Sequence, residues 1–136
     1  MIVVLDTNIF VAALLNPLGA PAKTRKYWQQ GQLDVLVSDP ILDEYFAVLS
    51  QAPDVSEIEA AILLSELKTF AHHVEINGSL QVCKDSDDDK FLETALEGRA
   101  DFLVTKNLKH FPRKSYEDVR IVNVATFLKE LEKVLP

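Results

Sequence analysis

The fold is decided by one stretch near the start of the chain, Ile2-Val3-Val4-Leu5-Asp6-Thr7-Asn8. Its first four residues form a continuous apolar run rich in β-branched side chains, which is typical of a strand buried on both faces of a parallel sheet. The polar residues that follow are suited to cap a helix, and the apolar residues after them extend that helix to about Leu15. A buried strand followed directly by a helix predicts an α/β fold with this strand at the centre of the sheet.

The rest of the chain repeats this alternation of strands and helices. Further strands are predicted at 35–37, 74–76, 102–105 and 121–124, and further helices at 22–30, 40–50, 56–72, 88–97 and 126–135. Strands that alternate with helices form right-handed crossovers, so we expect a parallel sheet with helices on both of its faces. No linker or repeat divides the sequence, and residues 1–136 are therefore expected to form a single domain.

Length and composition restrict the class of protein. The chain has 136 residues, 48% of them apolar, and 14 Lys plus Arg against 21 Asp plus Glu give a net charge of −7. Disorder is excluded, and no apolar run approaches the ~18 residues of a membrane-spanning helix. The single Cys83 and the lack of a signal peptide fit a reducing, cytoplasmic location. The acidic balance argues against non-specific coating of DNA but permits an acidic cation pocket beside a basic groove.

Two acidic residues are expected to meet at the carboxyl ends of the strands, where open parallel sheets bind their ligands. Asp6 follows the first strand directly, although a role as the cap of the next helix explains it equally well. Glu44 shares a helix stripe with Ile41 and Val48, so we expect it to point inward. A glutamate that points inward needs a partner.

A third acid comes from the run Asp85-Ser86-Asp87-Asp88-Asp89. Such a run is usually a solvated loop or a helix start that complements the helix dipole. Asp88 differs from its neighbours because it continues the buried stripe of its helix, which is formed by Phe91, Leu92 and Ala95. The flanking aspartates are rotated ~100° to either side, so Asp88 is the predicted site residue.

The three acids form a candidate metal site. Carboxylates that meet repel one another, and a divalent cation bound by oxygen relieves that repulsion. Because the set of Asp6, Glu44 and Asp88 contains no His or Cys, Mg²⁺ or Mn²⁺ is favoured over zinc.

Four segments, taken together in this order and spacing, resemble the PIN-domain family, and within it the toxin-like proteins related to VapC toxins. The segments are 3–8, Ser38 with 41–45, 85–91 with Ala95, and Leu103-Val104-Thr105. The resemblance covers essentially the whole chain. It implies a three-layer α/β/α PIN-like domain with a central parallel sheet, and it assigns the family's acidic site to Asp6, Glu44 and Asp88.

The resemblance also implies an activity and partners. Family members similar to this chain are Mg²⁺-dependent ribonucleases, often dimeric toxins that a small antitoxin holds inactive. The expected partners are therefore an RNA substrate, a small antitoxin protein and further copies of the chain as a homodimer or higher oligomer, and no membrane. Where the family often has another aspartate, this sequence has Lys106-Asn107, and Asn107 is expected to orient a water at the site.

Neutral polar side chains are expected close to the acids. Capping or local turn roles explain each of them about as well as a role in the site: Thr7, Asn8, Ser38 and Thr105. These four residues are therefore supporting groups in the predicted site.

Two clusters of basic residues are candidates for binding RNA, which requires positive charge. The better candidate follows the strand that carries Thr105 and comprises Lys106, Lys109, His110, Arg113 and Lys114. The other cluster combines Lys23, Arg25 and Lys26 with Tyr27 and Trp28. Its aromatic rings are alternatively core-facing residues of a helix whose charges are solvated.

Two other functions are compatible with parts of this pattern. A receiver-like signalling domain has the same size and a Mg²⁺-binding acidic pocket, but it needs a further acid beside Asp6, where Thr7 and Asn8 stand. A PIN-fold protein that binds RNA or a partner without cutting is suggested by the neutral Asn107. Cleavage of RNA would separate a nuclease from both alternatives.

Overall fold

The computed structural model describes residues 1–136 and contains six strands and six helices. The strands are β1 (Ile2–Leu5), β2 (Asp34–Val37), β3 (His72–His73), β4 (Phe102–Val104), β5 (Ser115–Tyr116) and β6 (Val119–Val122). The helices are α1 (Thr7–Leu15), α2 (Ala20–Gln29), α3 (Asp39–Gln51), α4 (Glu57–Phe70), α5 (Asp89–Glu97) and α6 (Val124–Val134). Short 3-10 turns lie at Ser86–Asp88 and Leu108–His110. None of the helices is long and apolar enough to cross a membrane.

The strands form one sheet in the order β3-β2-β1-β4-β6-β5. Neighbouring strands are parallel except β5, which runs antiparallel to β6. In β1, Val3 lies opposite Val35 on one side and opposite Phe102 on the other, so the first strand is central as predicted. The strand order reverses beside β1, and ligands of open α/β sheets bind at such a reversal. The predicted α/β architecture around a mostly parallel central sheet is confirmed.

A buried tyrosine joins the end of β1 to the start of α3. Residues 3–5 of β1 are at most 1% exposed, as expected for a central strand. Tyr45 is fully buried, its ring packs edge-on against Phe10 with 5.1 Å between ring centroids, and its hydroxyl donates to the Leu5 carbonyl. This contact places the neighbouring Glu44 at the carboxyl edge of β1.

The prediction of a strand at 74–76 is wrong. Pairing with β2 occurs at His72–His73, two exposed residues, and it ends as the N–H of Val74 donates to the Val37 carbonyl at 2.8 Å. The apolar pattern could not predict this strand, because β3 has no buried side chains and is defined only by its backbone pairing with β2.

The last strand and helix begin earlier than predicted. β6 spans Val119–Val122, where 121–124 was predicted, because the chain turns back on itself and pairs with the short β5, which was not predicted. α6 begins at Val124 and not at 126, since the Asn123 side chain accepts the Thr126 N–H at 2.8 Å and caps the helix.

Candidate active site

Asp6 lies at the carboxyl end of β1 and is only 8% exposed. It occupies the N-cap position of α1, yet its carboxylate makes no capping hydrogen bond. Instead, Asp6 Oδ2 accepts from the Thr105 hydroxyl at 2.7 Å, across the junction between β1 and β4. Capping therefore does not account for this carboxylate, which faces the strand ends.

Glu44 reaches the same edge from the first turns of α3. Its Oε2 accepts from the Thr7 hydroxyl, and its Oε1 lies 2.8 Å from the ammonium of Lys90. The expected inward orientation is observed, with 26% of the side chain exposed. The stripe that produces it differs from the prediction, because Val48 is exposed and the buried face of α3 consists of Ile41, Tyr45 and Leu49.

Asp88 closes the 3-10 turn before α5. Its side chain is 14% exposed, and Oδ2 lies 3.1 Å from Nδ1 of His110. Asp85 and Asp87 are exposed, as the helical stripe indicated. Asp6, Glu44 and Asp88 are called the site acids below.

The site acids influence one another electrostatically. Burial raises the pKa of Asp6, the hydrogen bond from Thr105 offsets part of this rise, and the charge of Glu44 adds to it. Burial likewise raises the pKa of Asp88, which the charge of His110 lowers and that of Asp6 raises. A cation at this edge would relieve the cost that burial and mutual repulsion impose on these carboxylates.

The site acids fit a hard divalent cation by their chemistry, since all their donors are carboxylate oxygens. No three His, Cys, Asp or Glu side chains are already arranged to hold a metal ion. Two of the site acids are paired with basic side chains instead, Glu44 with Lys90 and Asp88 with His110. Metal binding by the site acids stays a prediction.

Three of the four supporting polar residues are buried, whereas Asn8 is exposed. The Thr105 hydroxyl, besides donating to Asp6, accepts the Asn107 N–H at 3.0 Å. The Ser38 hydroxyl lies 2.8 Å from that of Thr94, which ties the start of α3 to α5 and indicates a structural role. The half-buried Asn107 side chain has no hydrogen-bond partner within the protein.

The two basic clusters differ in how their charges are used. In the first, Lys23 pairs with Glu132 at 2.8 Å and Arg25 with Glu66 at 2.6 Å, and Trp28 is buried. Trp28 is thus core-facing as the alternative expected, whereas Tyr27 is only half-buried and its hydroxyl donates to Glu132 at 2.6 Å. Lys23 and Arg25 are paired rather than solvated.

In the second cluster, four cations are exposed and take part in no ion pair: Lys106, Lys109, Arg113 and Lys114. The fifth member, His110, contacts Asp88 and so joins this basic segment to the site acids.

Sequence reasoning missed two acids of α5. Asp89 was expected to point sideways, but it is 7% exposed and accepts the N–H groups of Val82 and Cys83 at 3.0 and 2.8 Å. Glu93, one turn later, is 6% exposed and accepts N–H groups at 3.1 to 3.4 Å from Asn77, Gly78 and Leu80. Asp89 and Glu93, called the loop acids below, hold the loop at 77–83 against α5. Their four-residue spacing on one helix face was the available signal.

Sequence reasoning also missed Lys90. Lys90 follows the acidic run directly and contacts Glu44 from the second position of α5. The pairing joins α3 and α5, which are far apart in the sequence, so no local pattern predicts it.

Comparisons with known proteins agree with this fold. A family model described as a PIN domain matches residues 2–109, a segment that contains the site acids and Asn107. An uncharacterized protein of Methanocaldococcus jannaschii, MJ1680, is 27% identical over 146 residues that cover 98% of this chain and 93% of the relative. A crystal structure of VapBC2 from Rickettsia felis, bound to a DNA fragment from its promoter, matches with a TM-score of 0.60 at 17% identity. The match covers 90% of this chain and 98% of that chain, and at this identity it shows a shared fold.

Proposed function

The chain belongs to the PIN-domain family, and we propose that it is a metal-dependent endoribonuclease that hydrolyses phosphodiester bonds of RNA. PIN-domain nucleases generally use divalent metal ions. The observation that carries the proposal is the buried Asp6 at the carboxyl end of β1, beside the strand-order reversal. The charge of Glu44 raises the pKa of Asp6, and the charge of Asp6 raises that of Asp88, so a cation among these acids would relieve the repulsion. Family membership also removes the reason to consider a receiver-like domain.

In this proposal the site acids hold one or two Mg²⁺ or Mn²⁺ ions. Such an ion supplies a water of lowered pKa and neutralises the charge that develops on the phosphate. Thr105 fixes the carboxylate of Asp6 by donating to it, and Thr7 fixes that of Glu44 in the same way. The free amide of Asn107 is available to hydrogen-bond the attacking water and orient it.

The second basic cluster supplies the contact with RNA. Its four unpaired cations, Lys106, Lys109, Arg113 and Lys114, follow directly after β4, whose neighbouring Thr105 contacts Asp6. Cations that take part in no ion pair bind phosphate without first breaking one. Replacing Lys109 and Arg113 with Gln should therefore weaken RNA binding for all sequences alike and reduce its salt dependence.

The proposed activity is tested with mixed RNA in the presence of Mg²⁺, with EDTA as the metal-free control. Glu44→Gln keeps the size of the side chain and removes its charge, and we expect cleavage to fall by about a hundredfold or more. Glu59→Gln makes the same change at an exposed site on α4 and should leave cleavage unchanged. Cleavage that persists in EDTA, or in Glu44→Gln, would contradict the proposal.

We further propose that the protein is the toxin of a type II toxin–antitoxin pair that acts in the cytoplasm as a homodimer or higher oligomer. Support comes from the shared fold with a chain of the VapBC2 complex of Rickettsia felis. A short reading frame next to this one is the expected antitoxin gene. Its product should co-purify with the protein and abolish cleavage, and growth arrest on expression of the protein alone should disappear when both are expressed.

The second candidate function is binding of RNA or a partner without cleavage, favoured by Asn107 where the family often has an acid. A neutral amide provides less charge for a cation than a carboxylate does. RNA binding in a gel-shift assay without cleavage at any Mn²⁺ concentration would support this alternative over the nuclease.

A further inference from the structure

Lys90 is a cation held inside the acidic site. Its ammonium lies 2.8 Å from Glu44 Oε1 and donates to the Asp87 carbonyl at 2.9 Å. Only 19% of the side chain is exposed, and the ammonium lies 5.4 Å from the centroid of the Phe91 ring. Three contacts on different residues make this a fixed ammonium rather than a freely moving surface lysine.

Helix α5 gives no reason for a lysine at this position. Lys90 is the second residue of the helix, where the helix dipole is positive and disfavours a cation. Ordering the long side chain also costs conformational entropy. Contacts outside the helix must offset both costs, and the ion pair with Glu44 at 2.8 Å is the contact that supplies an opposite charge.

Both carboxylate oxygens of Glu44 are occupied. The Thr7 hydroxyl donates to Oε2, and the Lys90 ammonium contacts Oε1. A divalent cation that binds Glu44 therefore approaches an ammonium on the same carboxylate, and the two positive charges repel. After losing Glu44, Lys90 would keep the Asp87 carbonyl and the face of Phe91.

We infer that Lys90 is a resident counter-cation of the site: it pairs with Glu44 in the metal-free protein and gives up this pairing when a divalent cation binds. Lys90 is thus a positioning residue that acts through Glu44, and the inference rests on the proposed metal-dependent function. It predicts two effects of opposite sign. Removing the ammonium destabilises the metal-free protein and strengthens its binding of a divalent cation.

The test is calorimetric titration with Mn²⁺, together with thermal unfolding in EDTA, for the parent protein and Lys90→Met. We expect Lys90→Met to bind Mn²⁺ about three- to tenfold more tightly and to unfold at a lower temperature in EDTA. Lys84→Met removes the same charge from an exposed lysine nearby in the sequence and controls for the change in net charge. Its Mn²⁺ affinity should stay within about twofold of that of the parent.

Two further variants separate the charge from the shape of the side chain. Lys90→Gln keeps a donor for Glu44 without the charge and should also bind Mn²⁺ more tightly, whereas Lys90→Arg keeps the charge and should resemble the parent. Equal or weaker Mn²⁺ binding by both Lys90→Met and Lys90→Gln overturns the inference and leaves the metal site intact. A parent protein that binds no Mn²⁺ overturns the proposed metal-dependent function and the inference with it.

Discussion

One site acid, Asp88, directly precedes the loop acids Asp89 and Glu93 of α5, yet the site acids and the loop acids are satisfied by different kinds of partner. Asp89 and Glu93 accept hydrogen bonds from backbone N–H groups of the loop at 77–83. The site acids receive theirs from hydroxyl groups of Thr7 and Thr105 and from the basic side chains of Lys90 and His110.

This difference separates a structural carboxylate from one that is available for chemistry. A backbone N–H group moves only when its loop moves, so the loop acids cannot change partner without local unfolding. A lysine or histidine side chain moves by rotating about its own bonds, so the proposed exchange of Lys90 or His110 for a metal ion requires no change of the backbone. The kind of partner, rather than burial alone, marks the candidate active site.

The largest expected effect comes from removing the charge of one site acid. Asp88→Asn should lower metal-dependent cleavage by about a hundredfold or more, because it removes one of three charged donors, whereas Asp87→Asn should change it by less than about threefold. Cleavage rates of the two variants at one Mg²⁺ concentration check this. Equal losses in both would show that the buried stripe does not select the functional aspartate.

Removing a loop acid should instead reduce stability. Glu93→Ala leaves three backbone N–H groups without their acceptor, and we expect the free energy of unfolding to fall by about 2 kcal/mol. Glu97→Ala, one turn later at the exposed C-terminal end of α5, should change it by less than about 0.5 kcal/mol. Urea unfolding followed by circular dichroism measures both values. A Glu93→Ala protein as stable as the parent would mean that the loop contributes nothing to the fold.

Adding a fourth carboxylate to the site acids tests their availability to a metal ion by a gain of charge instead of a loss. Asn107→Asp should tighten Mn²⁺ binding by about tenfold, or ~1.4 kcal/mol, because a charged donor replaces a neutral one. In EDTA the same variant should unfold at a lower temperature, since it adds repulsion to the site acids. Calorimetric titration of both proteins tests this, and equal affinities would place Asn107 out of reach of the ion.

The smallest effect concerns the cost that Asp6 imposes on the metal-free fold. Burial raises its pKa above the unfolded value, so the folded protein binds the proton more tightly and loses stability as pH rises through the two pKa values. At neutral pH the cost is fully present, and Asp6→Asn should raise Tm in EDTA by about 2 °C. Below both pKa values the difference should vanish. A Tm series over pH measures it, and a lower Tm for the variant at pH 7 would contradict the sign.

Much of the candidate site follows from local sequence patterns. The apolar run of β1 followed by Asp6 predicted a central strand that ends in a carboxylate, and helical periodicity selected Glu44 and Asp88 over their neighbours. The central strand is confirmed, and Glu44 and Asp88 are largely buried as expected, because a strand end and a helix face are fixed by residues a few positions away. Periodicity was wrong for Asp89, which is buried, and the role of the three acids as a metal site stays a prediction. The PIN-domain resemblance, confirmed by the family model, relies on the same short motifs.

Only the tertiary structure decided which partners these residues have. Thr105 and Asp6 are 99 positions apart, and His110 and Asp88 are 22 apart, so no periodicity relates them. The burial of Asp89 depends on a loop that folds back onto α5, and β3 and β5 exist because backbone groups pair with neighbouring strands. The sequence by itself determined the central strand β1 and the carboxylate of Asp6 at its end, because neighbouring residues fix both. Long-range hydrogen bonding and charge pairing decided which of the acids are bound by the backbone and which by exchangeable side chains.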